Sequence, residues 1–202
     1  YSHGDTEVLL KAYHAWGADF VTRLNGMFAF AIWERDSGSV LLGRDRLGIK
    51  PLYYADIPGG LRFASTLPAV LSGGGVDTDI DPVALNHYLS FHAVVPAPHT
   101  LIKGVRKLPA ATLMHIYTDG RRNERTYWSL DYQRDQQDEH RSFEEWRELL
   151  AHALRQAVRH RLVADVPVGA LLSGGVDSSL IVGLMSEAGV SKLKTYNIGF
   201  SD

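Results

Sequence analysis

The chain has 202 residues, with 21 Lys and Arg, 23 Asp and Glu, nine His and no Cys. This near-neutral charge is not typical of a nucleic-acid-binding arm or a polybasic membrane patch. The sequence also contains no run of about 18 apolar residues, which a membrane-spanning helix would need. The absence of Cys excludes disulfides, thiolate metal ligands and cysteine nucleophiles within this sequence.

The first elements predicted along the chain are helical. Apolar residues recur at helical spacing from Val8 to Trp16, and Asp5 is of a residue type that caps helix N-termini. Gly17 is a suitable helix stop, and residues 20–24 predict a second short helical segment.

Strands are predicted next. Residues 27–33 form a continuous apolar run, which is typical of a strand buried on both faces. Shorter apolar stretches at 40–42, 52–55 and 61–64 are separated by turn residues and predict further strands. Together with the first strand they predict an antiparallel meander packed on helices. A further helix is predicted from Asp81 to Phe91, with Pro82 in its first turn.

A polar stretch divides the chain. A hairpin predicted over 112–117 and 125–130 is followed by residues 131–141, which are almost wholly polar and indicate a linker. We therefore predict two domains, residues 1–135 and residues 136–202.

The region after the linker has the pattern of a parallel α/β sheet. Ser142 and Glu145 form a capping box at the start of a long helix. An apolar strand at 168–172, a Gly-rich loop, a helix from Leu180 to Met185 and a second strand at 193–200 follow. Two strands are too few for a complete sheet of this class, so we expect this chain to be part of a longer protein.

The Gly-rich loop is the most informative motif, Ser173-Gly174-Gly175-Val176-Asp177-Ser178-Ser179. Paired glycines let backbone N–H groups approach an anion, and the N-terminus of the following helix adds a positive dipole. The serines supply hydroxyl donors, and Asp177 is suited to hold Mg²⁺ beside a phosphate. A plain glycine-rich turn is the alternative, but five fixed residues arise by chance in about one chain in 10⁴.

Other polar residues are interpreted structurally. We interpret a cluster at the end of the strand over 40–42 as fold-defining turn and ion-pair residues in preference to catalytic ones: Arg44, Asp45, Gly48 and Lys50. The nine His show neither His-x-x-x-His nor His-Glu-x-x-His spacing, so no metal site is predicted from them. Trp33 and Trp146 are predicted to be core anchors.

The loop resembles the pyrophosphate loop of the N-type ATP pyrophosphatases. The longer string from Asp165 to Ser179 is similar to that of glutamine-dependent asparagine synthetases. Residues 4–8, 25–31 and 43–54 independently resemble the second half of the class II glutaminase domain of that family. The resemblance covers nearly the whole chain in order.

The resemblance implies an α+β N-terminal-nucleophile αββα sandwich, partial in this chain, followed by the start of an α/β adenine-nucleotide (PP-loop) domain. The implied activity is that of a carbon–nitrogen ligase, which hydrolyses glutamine, adenylates a carboxylate with ATP and releases AMP and pyrophosphate. Its implied cofactors are ATP and Mg²⁺. Its implied partners are small molecules (glutamine, ATP, and aspartate or a small peptide carboxylate), with no nucleic acid or membrane, a cytoplasmic location and a homodimer as one option.

The resemblance also implies roles for individual residues. Asp5 corresponds to the acid that binds the α-amino group of glutamine, a role compatible with helix capping. Leu172 and Ile198 correspond to nucleotide contacts, although the sequence alone predicts only buried strand residues there. The other implied ATP and pyrophosphate contacts are Ser173, Gly174, Gly175, Asp177 and Ser178, with Asp177 also holding Mg²⁺ through the pyrophosphate.

The sequence departs from the family in two respects. The family nucleophile is an N-terminal Cys, so we expect it upstream of Tyr1, and this chain by itself has no catalytic residue for thiol-dependent amide hydrolysis. Residues 63–68, 88–92 and 94–98 favour a sister group that makes the terminal amide of N-acetylglutaminylglutamine, so the acceptor stays open. The alternative is a non-catalytic nucleotide-binding or assembly module that has lost the nucleophile.

Overall fold

The structure is a computed structural model that describes residues 4–133 and 135–199, apart from the side chain of Gln137. The chain separates into two compact units, Tyr1–Asp131 and Tyr132–Asp202, and each is described by itself. The end of the strand predicted over 193–200 lies outside the described residues. No helix within them is both long enough and apolar enough to cross a membrane.

The N-terminal unit begins with helix α1 (Asp5–Trp16), followed by a 3-10 segment (Gly17–Arg23). The prediction that Asp5 caps α1 is wrong, because the N-cap is Gly4 and Asp5 is the first helical residue. Its negative charge in the first turn still favours the helix dipole. The C-cap, Gly17, has a φ of +57°, which glycine adopts without the strain that a Cβ would bring.

The described part of this unit also contains seven strands and two helices. In chain order these are β1 (Ala29–Trp33), β2 (Val40–Arg44), β3 (Tyr53–Ile57), β4 (Gly60–Ala64), α2 (Leu67–Leu71), α3 (Pro82–Ser90), β5 (Arg106–Lys107), β6 (Thr112–Ile116) and β7 (Arg122–Thr126). The hairpins β1–β2, β3–β4 and β6–β7 are antiparallel. The predicted single meander is wrong, because the strands form two sheets, ordered β1-β2-β6-β7 and β4-β3-β5.

Alternating side chains in these strands build a layered core. Leu41 and Leu113 pack with the fully buried Phe20 against α1 and the 3-10 segment. Their chain neighbours, Leu42 and Met114, lie on the opposite face and pack against residues of the second sheet. Helix α2 covers the far face of the second sheet. The layers are therefore helices, sheet, sheet and helix.

Strand β1 is not buried on both faces as predicted. Phe30 and Ile32 are buried, but Trp33 is 64% exposed, so its predicted role as a core anchor is wrong. The physical reason is that β1 lies at the edge of its sheet and packs one face against the core. On that buried face Gly43 pairs with Phe30, and a Cβ at position 43 would overlap the Phe30 ring.

The C-terminal unit contains a 3-10 turn (Gln136–Asp138), α4 (Phe143–Arg161), β8 (Gly169–Leu171), α5 (Val176–Glu187) and β9 (Lys194–Tyr196). The predicted capping box at the start of α4 is present. β8 and β9 pair in parallel, and Val158, Leu184 and Met185 form a small buried cluster. Trp146 is 46% exposed beside the Arg141 guanidinium, so it is not the predicted core anchor either.

Candidate functional site

The loop between β8 and α5 has the geometry of an anion-binding turn. Helix α5 begins at Val176, with Gly175 as its N-cap and no side chain capping this end. The free N–H groups of the first turn are therefore available to a ligand. Gly174 has a φ of +84° and open space where a Cβ would lie, so conformation and not crowding requires glycine there.

Two of the predicted serines meet at this loop. Ser173 Oγ lies 3.2 Å from Ser178 Oγ, and Ser178 Oγ donates to the carbonyl oxygen of Gly175 at 3.1 Å. Since each hydroxyl has one hydrogen, Ser173 donates to Ser178 in this arrangement. An anion in the loop would take these two donors in place of the internal acceptors.

Asp177 lies in the first turn of α5, with an exposed side chain that forms no hydrogen bond or ion pair in the described part of the chain. Over the same residues, no group of three or more His, Cys, Asp or Glu is arranged to hold a metal ion. Mg²⁺ is commonly held by one or two carboxylates together with substrate phosphates. Asp177 therefore fits a Mg²⁺ that arrives with a nucleotide.

The two predicted nucleotide contacts lie at the same edge of the β8–β9 sheet. Leu172 directly follows β8, is half-buried and donates its N–H to the carbonyl oxygen of Tyr196 at 2.8 Å. Ile198 follows β9 and is 79% exposed. Neither is the buried strand residue predicted, because the sheet has only two strands over residues 135–199 and leaves its ends uncovered.

A mostly apolar cavity of about 440 Å³ lies between α4, β8 and α5. Leu154 and Val158 line it from α4, Ile181 lines it from α5, and Ser178 connects it to the loop. Arg161 is its charged lining residue. The apolar face of α4 was visible in the sequence, but its packing beside the loop depends on tertiary structure.

Asp5 lines a second, smaller cavity in the N-terminal unit, of about 240 Å³. Val8 and Leu9 line it from α1, and the irregular segment 24–28 forms the opposite wall. Asp5 is the charged residue of this lining, and its carboxylate forms no hydrogen bond or ion pair among residues 4–133. The two segments that lead the N-terminal resemblance, 4–8 and 25–31, therefore meet at one cavity.

The polar cluster at the end of β2 organises the loop that follows. The Arg44 guanidinium donates to the carbonyl oxygens of Lys50 at 2.8 Å and Leu108 at 2.5 Å. Burial lowers the pKa of Arg44, and burial raises the pKa of Tyr127, whose hydroxyl donates to the Arg44 carbonyl oxygen, to about 12. The turn-defining role is confirmed, whereas the predicted ion pairing is replaced by bonds to the backbone.

Comparison with known families matches both units. A glutamine amidotransferase domain model matches residues 1–128, and an asparagine synthase model matches residues 149–202.

Individual relatives agree with these models. The chain is 38% identical over 196 residues to asparagine synthetase [glutamine-hydrolyzing] 1 of Bacillus subtilis, covering 97% of this chain and 30% of the relative. It is 39% identical over 202 residues to putative asparagine synthetase [glutamine-hydrolyzing] 2 of Methanocaldococcus jannaschii, covering 97% of this chain and 38% of the relative. It is also 32% identical over 183 residues to amidase chyE of Penicillium rubens, covering 91% of this chain and 26% of the relative. The chain thus spans roughly a third of the length of these relatives.

Proposed function

Because this chain belongs to the glutamine amidotransferase domain family, we propose that the protein carrying it is an ATP-dependent, glutamine-hydrolysing amidotransferase of the asparagine synthetase type. The observation that carries the proposal is the presence, in one chain, of an acid-lined cavity and a Ser-Gly-Gly-Val-Asp-Ser loop at a helix N-terminus. The first suits an amino-acid amide and the second suits pyrophosphate.

The two units have corresponding places in the proposal. The helix, sheet, sheet and helix layers of the N-terminal unit support an N-terminal-nucleophile αββα sandwich. The parallel β8–α5–β9 unit supports the start of a PP-loop adenine-nucleotide domain. We place the glutaminase part in residues 1–135 and the synthetase part in residues 136–202.

In the N-terminal unit, Asp5 binds the α-amino group of glutamine. Its carboxylate is exposed in the cavity and is not engaged by another group of the described chain, so an ammonium group has direct access to it. A charge-assisted hydrogen bond of this kind is roughly twice as strong as a neutral one. The cavity volume of about 240 Å³ is below the range of roughly 300–1,000 Å³ typical of drug-sized ligands, which favours a small amino acid.

In the C-terminal unit, the loop binds the leaving pyrophosphate. Backbone N–H groups at the start of α5, with the hydroxyls of Ser173 and Ser178, are held in place before the negative charge develops, as electrostatic catalysis requires. Asp177 would hold the Mg²⁺ that accompanies ATP, and this ion would neutralise phosphate charge. Leu172 and Ile198 contact the nucleotide from the ends of β8 and β9.

The proposed reaction has three steps. Hydrolysis of the glutamine amide gives glutamate and ammonia. An oxygen of the acceptor carboxylate attacks the α-phosphorus of ATP, forming an acyl-adenylate and releasing pyrophosphate. Ammonia then attacks the acyl carbon, AMP leaves with the C–O electron pair, and an amide forms. The chain contains no Cys, so no step of thiol chemistry is assigned to its residues.

Pyrophosphate release tests this proposal. The natural gene product is incubated with ATP, Mg²⁺ and ammonia, with either aspartate or N-acetylglutaminylglutamine as acceptor. We expect release with one of the two acceptors, and the active acceptor identifies the subgroup. If pyrophosphate is released with neither, both acceptor assignments are wrong.

The alternative to the enzyme is a non-catalytic nucleotide-binding or assembly module that has lost the glutaminase nucleophile. The gene sequence before the Tyr1 codon discriminates between the two. A Met-Cys-Gly start there supports the enzyme, whereas an in-frame stop or an unrelated domain supports the module.

A further inference from the structure

The wall of the Asp5 cavity is a segment without regular structure. Residues 24–28 lie between the 3-10 segment and β1 and belong to neither a helix nor a strand. They nevertheless supply most of the cavity lining. Because such a segment has no ladder of backbone hydrogen bonds of its own, its position depends on bonds from elsewhere in the fold.

The loop that follows β2 bonds to the last residue of this segment and to the 3-10 segment that leads into it. On the N-terminal side, Arg46 Nη2 donates to the carbonyl oxygen of Thr22, within the 3-10 segment, at 3.0 Å. At the other end, the N–H of Phe28 donates to Asp45 Oδ2 at 3.2 Å, and the N–H of Asp45 donates to the carbonyl oxygen of Phe28 at 2.9 Å. Phe28 itself lines the cavity.

Asp45 is fixed by its own surroundings. Its side chain is buried, and Oδ1 accepts from the N–H groups of Leu47 at 3.2 Å and Ile49 at 2.9 Å, while Oδ2 also accepts from the N–H of Lys50 at 2.9 Å. Burial acts to raise the pKa of Asp45, but the backbone donors outweigh it and leave that pKa below its usual value. Asp45 is therefore an ionised anchor at neutral pH.

We propose that Asp45, assisted by Arg46, is a positioning residue for glutamine: the two side chains hold the 24–28 wall at the distance from Asp5 that the substrate needs. Neither residue lines the cavity, so both act through the segment that they hold. This inference rests on the proposed function, since it requires glutamine to bind beside Asp5.

Substitution of Asp45 by Asn tests the inference. Both Asp45 oxygens accept only N–H donors, so the amide NH₂ of Asn would face a donor in either orientation. We expect Asp45→Asn to weaken L-glutamine binding about tenfold, measured by calorimetry on the natural gene product. The affinity for ATP with Mg²⁺ should stay within about twofold of wild type.

Asp81→Asn is the matched control. Asp81 is also a buried carboxylate of the N-terminal unit, and it accepts from the N–H groups of Val83 and Ala84 at the start of α3. Asn caps helices about as well as Asp, and Asp81 does not line the Asp5 cavity. We therefore expect unchanged glutamine affinity in this variant.

A second pair of variants keeps the test decisive if Asp45→Asn does not fold. Arg46→Gln removes the bond to Thr22 and should weaken glutamine binding about threefold. Its control is Arg62→Gln, because Arg62 also donates to backbone carbonyl oxygens, those of Val70 and Gly74, but away from the cavity. This control should lose thermal stability without losing glutamine affinity.

The outcomes separate the two levels of inference. If wild type does not bind glutamine, or binds it with no dependence on Asp5, the proposed function fails and the positioning role fails with it. If Asp5→Asn abolishes binding while Asp45→Asn and Arg46→Gln bind like wild type, only the positioning role is overturned. Equal losses in the control variants would also overturn it, because they would show a general effect of destabilisation.

Discussion

The two candidate sites are built in different ways. The loop after β8 is contiguous in sequence, with its glycines, serines and carboxylate all between Ser173 and Ser178. The Asp5 cavity joins the start of α1 to the irregular segment 24–28, and that segment is held in turn by the loop after β2. A site of the first kind tolerates distant changes, whereas a site of the second kind depends on the packing of its whole unit.

The largest expected effect is on pyrophosphate release, and it tests whether the loop after β8 functions independently of the Asp5 cavity. Asp177→Ala should lower pyrophosphate release by about 100-fold or more, because one electrostatic contact to the reacting phosphates is lost. Glutamine affinity should not change. Glu187→Ala is the control, since Glu187 lies at the other end of α5 and pairs with Arg155. Full activity in Asp177→Ala would contradict the Mg²⁺ role.

A backbone change in the same loop should have the next largest effect. Gly174→Ala places a Cβ on a residue with φ of +84°, which costs about 1–2 kcal/mol in a loop that must keep this shape. We expect ATP affinity to fall about tenfold. Gly183→Ala, in the interior of α5 where a Cβ meets nothing within 4 Å, should instead stabilise the fold by roughly 0.5–1 kcal/mol. Equal ATP affinities in the two variants would rule out a conformational requirement at Gly174.

The stability of the N-terminal unit should depend on pH through a hydrogen-bond network around Glu34. This network lies at the end of β1 opposite the segment that lines the Asp5 cavity. Glu34 follows β1 and accepts hydrogen bonds from Tyr13, Ser37 and Ser39, with the bond from Tyr13 the largest cause of its lowered pKa. A carboxylate whose pKa is lowered by folding stabilises the fold at pH values above its unfolded pKa, which is about 4.5 for Glu34. This stabilisation is lost as the pH falls through the pKa of the folded state.

We therefore expect the thermal midpoint of the N-terminal unit to fall as acid is added below pH 4.5. At the alkaline end, burial and the bond to Glu34 raise the pKa of Tyr13 to about 12. The neutral Tyr13 hydroxyl therefore stabilises the fold fully below pH 10.0, and this stabilisation is lost as the pH rises through about 12. Glu34→Gln should reduce the slope of the acid limb, to which Asp45 also contributes, and Tyr13→Phe should reduce the slope of the alkaline limb, to which Tyr127 also contributes. Unchanged limbs in both variants would show that this network does not govern the pH response.

The smallest expected effect concerns the helix that precedes the loop. Ser142→Ala removes the 3.3 Å capping bond from the Glu145 N–H and should cost about 1 kcal/mol of unfolding free energy. Denaturant unfolding measures it. If the variant also bound ATP more weakly than wild type, the loop would depend on α4, contrary to its local construction.

Local signals were sufficient for the glycine-rich loop and the elements on either side of it. The capping box at Ser142, the glycine-rich loop and the parallel pairing of its flanking strands all follow from neighbouring residues, and the structure contains each of them. The exposure of Ile198 could not be predicted in the same way, because burial depends on how many strands and helices cover a sheet.

Long-range pairing limited the prediction of the N-terminal unit. The hairpins were predictable from turn residues, although the strand predicted over 125–130 is β7 at Arg122–Thr126. The pairing of Leu42 with Met114 and of Tyr53 with Lys107, by contrast, places distant strands side by side. No local pattern encodes these choices. For the same reason Asp45 was identified as a turn residue, while its bond to Phe28 emerged only from the fold.

Transfer of the glutamine amide nitrogen tests the proposed function most directly. The natural gene product is incubated with ATP, Mg²⁺, glutamine labelled with ¹⁵N at the amide, and the acceptor that supports pyrophosphate release. We expect the label in the terminal amide of the product, with AMP formed in equal amount. ATP-independent labelling, or glutamine binding with no transfer of nitrogen, would contradict an amidotransferase of this type.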